Sequence, residues 1–307
     1  MRPRSMLFAC MLALCVGACA RRAQAPEPVA STSVLRAMGQ SARWIEVNGC
    51  RVRFVQSRGE HDDGVPWLFV HGIGGKLEDF GPLLVKASSQ ARFFAIDLPG
   101  FGASSNPKKD FRIGFYVQVL RAFLDAVQAP RAHLVCHSLG GQICLAFALD
   151  NAQRVQTLVL IDAAGGFEPD AWLGKTAKKY GGLNLGRADS DQSPLLSLLR
   201  DERKVVFKRV FADEPMVLAG LESFTTSLRP RLRELGMPVL IVWGTEDPIF
   251  SVEEAFNLKE NIAGSTLHLV TGADHQPFSS HPDLVLKWID EHHRRAALAG
   301  ATPEDAP

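Results

Sequence analysis

At 307 residues with a formal net charge of +1, the chain has room for one large domain carrying an insertion. A near-zero charge gives no basis for a nucleic-acid partner, and the 46% hydrophobic composition is that of an ordinary folded globular protein. No internal repeat is present, and nothing after the N-terminal stretch is long and apolar enough to span a membrane.

In chain order, Arg2 and Arg4 precede a short apolar run from Met6 to Val16. A positive start before a short apolar stretch reads as a secretory signal rather than a membrane span. The run ends Val16-Gly17-Ala18-Cys19, which resembles the lipobox of bacterial lipoproteins. The resemblance implies that residues 1–18 are a removed signal peptide and that Cys19 is the lipidated first residue of the mature chain. Ala20 stands where an aspartate often marks inner-membrane retention. The expected location is therefore the bacterial cell envelope, lipid-anchored at the outer membrane or its periplasmic face. Residues 19–41, rich in Ala, Pro, Arg and Ser, read as a flexible tether.

From residue 42 the pattern becomes strand-like. Trp44 to Val47 and Val52 to Val55 flank Asn48-Gly49, a hairpin signal. Short apolar strands then follow at Trp67–Val70, Phe93–Ile96, Ala132–Val135, Leu158–Ile161, Val239–Trp243 and Leu267–Val270. Runs of that length fit strands buried on both faces. Helical patterns intervene, as at Val117–Val127 and Pro282–His292. Alternating strands and helices predict a doubly wound, mostly parallel α/β sheet. Residues 42–164 and 237–295 form its two parts. Between them, 165–236 lacks a convincing strand and reads as an inserted helical cap, with helical stretches at 170–180, 193–211 and 214–228. Residues 296–307 read as a disordered tail.

The polar and glycine-rich residues gather just after the strands: His71-Gly72-Ile73-Gly74-Gly75, Asp97-Leu98-Pro99-Gly100-Phe101-Gly102, Cys136-His137-Ser138-Leu139-Gly140-Gly141, Gly244-Thr245-Glu246-Asp247-Pro248, and Gly272-Ala273-Asp274-His275. In an open parallel sheet that is the edge where a site forms. This ordered set resembles the α/β-hydrolase superfamily, within the cap-bearing serine esterase and lipase branch (monoacylglycerol-lipase-like), over Trp44 to His293. In that family a serine between small residues occupies a sharp strand-to-helix turn, and nucleophile, acid and histidine follow in the order Ser138, Asp247, His275.

The resemblance implies a carboxylic-ester hydrolase working through an acyl-enzyme. Ser138 attacks, His275 takes and returns its proton, and Asp247 orients the imidazole. The backbone N–H groups of Leu139 and Ile73 form the oxyanion hole. No cofactor or metal is implied; the partners are a small ester or lipid substrate and the membrane surface reached through the anchor. Cleavage of carbon–carbon or amide bonds, acyl transfer, and a non-catalytic binding lipoprotein are the alternatives.

Cys136 departs from the usual Gly-x-Ser-x-Gly pattern at its first position. It should be tolerated as a small side chain with some strain. Asp162, after the strand that follows the nucleophile helix, is the competing acid. Asp97 reads as structural, His71 and His137 as satisfying local backbone groups, and Asp274 as pointing away. Trp172, Phe207, Phe211 and Phe224 read as cap core, with an acyl pocket the other possibility. Removing the signal and acylating Cys19 leaves Cys50, Cys136 and Cys144, an odd number with no zinc spacing; the expectation is three buried side chains and no disulfide.

Overall fold

Asn48 and Gly49 both adopt positive φ (48° and 73°), the geometry a two-residue hairpin turn needs. They join β1 (Arg43–Val47) to β2 (Cys50–Ser57), with Val47 facing Cys50 across the turn. In this computed structural model, which describes residues 28–58, 64–107, 110–166 and 215–300, that hairpin opens an eight-stranded sheet. The other strands are β3 (Trp67–Val70), β4 (Phe93–Ile96), β5 (Ala132–His137), β6 (Val155–Ile161), β7 (Val239–Gly244) and β8 (Thr266–Val270). Their spatial order is β1-β2-β4-β3-β5-β6-β7-β8. β2 pairs antiparallel with β1 and β4, and every later pairing is parallel. The expected doubly wound, mostly parallel sheet is present.

The strand order explains the burial. Every residue of β3, β4, β5 and β7 is buried, because helices cover both faces. Side chains alternate across the pleat. Phe54, Leu68, Leu134 and Leu158 join one apolar layer with α3 (Ile113–Ala126) and α4 (Leu139–Asp150). Val55, Phe69, Val135 and Val159 join the opposite layer, with α2 (Gly81–Ala87) and the last helix (Pro282–Gly300). The chain runs from β3 outward to β4, then returns to place β5 on β3's other side. The crevice at the C-terminal ends of β3 and β5 is therefore the switch point of the sheet, where such folds bind ligands.

Three expectations are corrected. The stretch assigned to a flexible tether contains a helix, α1 (Pro28–Ala37). Val34 and Leu35 pack against the core, Met38 just beyond is buried, and a β-carbon on Gly81 would lie 2.8 Å from Val34 Cγ2. The tail expected from residue 296 is helical as far as Gly300, with Ala296 buried. The largest correction is that Cys136 and Cys144 form a disulfide, with Cα atoms 6.5 Å apart. α4 folds back along β5, so two cysteines eight positions apart become neighbours.

Within the proposed insertion, α5 (Pro215–Thr225) is helical as expected. The stretches at 170–180 and 193–211, with Trp172, Phe207 and Phe211, lie outside the described residues; so do the signal and Cys19. Phe224 packs partly buried against the main apolar cluster. No helix among the described residues is long and apolar enough to cross a membrane.

Candidate active site

Ser138 sits between β5 and α4 with φ 53° and ψ −119°. A non-glycine residue held there costs about 1–3 kcal/mol and persists only where its surroundings enforce it. The enforcement is visible. Ser138 N–H donates to Ile161 O (3.1 Å), and Ser138 O accepts from Ala164 N–H (3.0 Å) and Gln142 N–H (3.3 Å). The two glycines that follow allow α4 to start this close to the sheet. A β-carbon on Gly140 would lie 2.3 Å from Val70 O, and one on Gly141 2.4 Å from Ala163 Cβ. Cys136 fills the place of a third small residue, with its side chain turned into α4 and bonded to Cys144. The expected strain at Cys136 thus has a different resolution: its sulfur has a partner.

The loop after β3 lies against this turn. A β-carbon on Gly72 would meet Ser138 Cβ at 2.9 Å and His137 Nδ1 at 3.0 Å, so Gly72 lies directly against the Ser138 turn. Leu139 is the first residue of α4, where N–H groups lack helical acceptors. His71 fixes the loop. Its Nε2 accepts from Leu98 N–H (2.9 Å), so Nδ1 carries the proton and donates to Gly72 O (2.7 Å). Asp97 anchors the next loop, accepting from Leu77 N–H (2.8 Å), Ala103 N–H (2.7 Å) and Arg53 Nε–H (2.6 Å). Both residues have the structural roles expected of them.

His275 and Asp247 come from the loops after β8 and β7. Nδ1–H of His275 donates to Asp247 Oδ2 at 2.7 Å. Asp247 Oδ1 accepts from Ile249 N–H (2.7 Å) and Phe250 N–H (3.1 Å). With the ring proton on Nδ1, His275 Nε2 presents its lone pair; it is buried and has no hydrogen-bond partner. His137 secures this histidine from behind, donating from Nε2 to His275 O at 2.7 Å. Burial, with His275 nearby, pushes the His137 imidazole well below its ordinary value, so it serves as a neutral donor. The backbone group it satisfies belongs to a loop 138 residues away. Asp274 caps its own turn, accepting from Gln276 N–H (3.1 Å).

A family model described as "alpha/beta hydrolase fold" matches residues 66–206. The chain has the α/β-hydrolase fold. It is 28% identical over 238 residues to a pimeloyl-[acyl-carrier protein] methyl ester esterase of Legionella pneumophila, covering 76% of this chain and 96% of that one. A crystal structure of a membrane phospholipase A, described as a bacterial virulence factor, superposes with a TM-score of 0.68 at 19% identity, over 97% of this chain and 99% of that one. Carboxylesterase CesB from Bacillus subtilis superposes with a TM-score of 0.62 at 19% identity, over 89% and 97%.

In this α/β-hydrolase fold the acid facing His275 is Asp247. Asp162, the competing acid, lies behind it at the end of β6, in a positive-φ turn (42°), accepting Gly244 N–H at 2.9 Å. Asp162, Asp247 and His275 are the described residues whose potential metal-ligand atoms converge, within 4.8 Å. A cation there would have to displace the His275–Asp247 hydrogen bond. Sequence reasoning missed Gln142. Its amide Nε2 donates to Ser223 O (3.1 Å) and Thr226 O (2.7 Å), and its Oε1 accepts from Ser223 Oγ (2.5 Å). A glutamine at a fully buried position of a helix that is otherwise apolar was the available signal, since a buried amide needs partners.

Proposed function

We propose that the protein hydrolyses carboxylic esters with Ser138 as nucleophile, His275 as base and Asp247 as its orienting acid. The observation that carries this is His275, held through Nδ1 by Asp247 with its Nε2 lone pair uncommitted, in a site that also contains Ser138 on an enforced positive-φ turn. The serine proton passes to Nε2 as Oγ attacks the ester carbonyl. The oxyanion is held by the N–H groups of Leu139 and Ile73. Collapse expels the alcohol, which takes the proton from Nε2. Water then repeats the sequence and releases the acid. Closure of the Ser138–His275 hydrogen bond accompanies substrate binding, as is common in triads seen without substrate. Similarity to an ester-cleaving relative over most of the chain supports this class of bond.

The finer reading is a monoacylglycerol-lipase-like enzyme tethered to the envelope through Cys19. The Cys136–Cys144 disulfide supports export, because disulfides persist in oxidising compartments. A fluorophosphonate probe tests the chemistry. Wild-type protein should label, Ser138→Ala should not, and folded wild-type protein that stays unlabelled refutes the proposal. A series of p-nitrophenyl esters of increasing acyl length reads the substrate range.

A further inference from the structure

Asp162 is fully buried, and the mechanism above gives it no task. Its Oδ1 accepts Gly244 N–H. Its Oδ2 is buried and no donor reaches it, and its carboxyl lies close to Asp247 and His275, with one potential ligand atom of each within 4.8 Å of the others. Two carboxylates buried this close together do not both ionise: one of them carries a proton. The donors decide which. Asp247 receives Ile249 N–H, Phe250 N–H and His275 Nδ1–H, whereas Asp162 receives one N–H. The negative charge therefore sits on Asp247 and the proton on Asp162.

We propose that Asp162 is a neutral carboxylic acid that donates Oδ2–H to Asp247, a positioning residue for the acid of the triad; this rests on the hydrolase reading above. The other titratable groups around the pair are His275, His137 and Asp274. Burial, then the neighbouring Asp247 and lastly Asp274, pushes the Asp162 carboxyl well above the usual range. The bond gives the Asp247 carboxylate one more fixed donor beside Ile249 N–H, Phe250 N–H and His275 Nδ1–H. It also delocalises charge without adding a second anion, which would hold His275 protonated and unable to act as a base.

The test is Asp162→Asn, whose Nδ2–H can donate to Asp247 while its Oδ1 accepts Gly244 N–H. No charge is removed, so the acid limb of its pH profile should not move. An ionised Asp162 within about 5 Å would instead, on neutralisation, shift that limb toward lower pH by on the order of two units; that shift overturns the proposal. Asp162→Ala should lose roughly 10- to 100-fold in kcat with little change in KM, and rescue by Asn but not Ala separates positioning from bulk packing. Infrared difference spectra between wild type and Asp162→Asn at neutral pH should show the carbonyl stretch of a protonated acid lost in the variant. A carboxylate band lost in its place also overturns the proposal. That spectrum needs no turnover, so failure of wild-type probe labelling would sink the hydrolase reading while the spectrum still decides where the proton lies.

Discussion

Replacing both Cys136 and Cys144 with alanine, or reducing their bridge, removes a cross-link whose sequence separation is eight residues. Closing a loop of that length in the unfolded chain costs an entropy equivalent to about 2.5 kcal/mol at 25 °C. Spread over the unfolding entropy of a domain this large, the loss should lower the melting temperature by roughly 4–5 °C. Activity should respond much less. The turn at Ser138 is held independently by its bonds to Ile161, Ala164 and Gln142, so kcat/KM of the double variant at 25 °C should stay within about threefold of wild type, under ~0.7 kcal/mol of activation energy. The assay is thermal unfolding by circular dichroism, with and without reductant, on protein lacking residues 1–19, together with ester turnover. Alkylation of denatured, unreduced protein should modify Cys50 and leave the other two cysteines protected. Three alkylated thiols, or identical melting curves in oxidised and reduced protein, would refute the reasoning.

Gly140→Ala should prevent the start of α4 from approaching β3, since the added carbon meets the backbone oxygens of Val70 and His71 at 2.3 and 2.6 Å; a loss of at least ~2–3 kcal/mol in urea unfolding is expected. Gly72→Ala should act on the chemistry instead: its β-carbon presses on Ser138 Cβ, so kcat should fall at least about tenfold, as for a disturbed oxyanion donor, with the melting temperature little changed. Stability should fall on acidification. His293 is buried against Trp67 and His133, with ring centroids 4.5 and 4.1 Å away. Burial and the neighbouring His133 and His292 hold it well below its ordinary value, and His292 is pushed down to about 4. The unfolded chain therefore binds protons that the folded one refuses. Stability is full above about pH 6.5 and is lost below it, with His293 contributing up to ~1.4 kcal/mol per pH unit. His293→Phe should flatten that dependence in urea melts between pH 7.5 and 5.5.

How far the sequence disclosed this molecule follows from what each signal depended on. The strands and the mostly parallel sheet came through because they rest on long-range regularities. Buried strands read as unbroken apolar runs, and glycine-rich turns mark their C-terminal ends. Ser138, Asp247 and His275 stood out by their order along the chain, and the same order brings the loops carrying them to one edge of the sheet. The Cys136–Cys144 bridge was hidden because it depends on α4 doubling back along β5, a matter of angle rather than spacing. The helix α1 was hidden because Val34 and Leu35, which meet α2, are adjacent residues and make no periodic stripe in an Ala- and Ser-rich segment. Asp162 was visible as an acid at a strand end, yet its charge state depends on which donors surround Asp247, and those come from a loop more than eighty residues later.

Gln142 and the meeting of Gly165 with Leu228, where Leu228 N–H donates to Gly165 O at 3.2 Å, carry a consequence for how this protein can change. The chain leaves the sheet and returns to it at a single clasp, and α5 is fastened to the nucleophile helix within a few residues of that point. Gln142 stands one turn beyond Ser138, so the clasp holds the returning chain against the helix that carries the nucleophile. A change on α5 that keeps this fastening leaves the nucleophile helix as it stands, and one that breaks it loosens the two together.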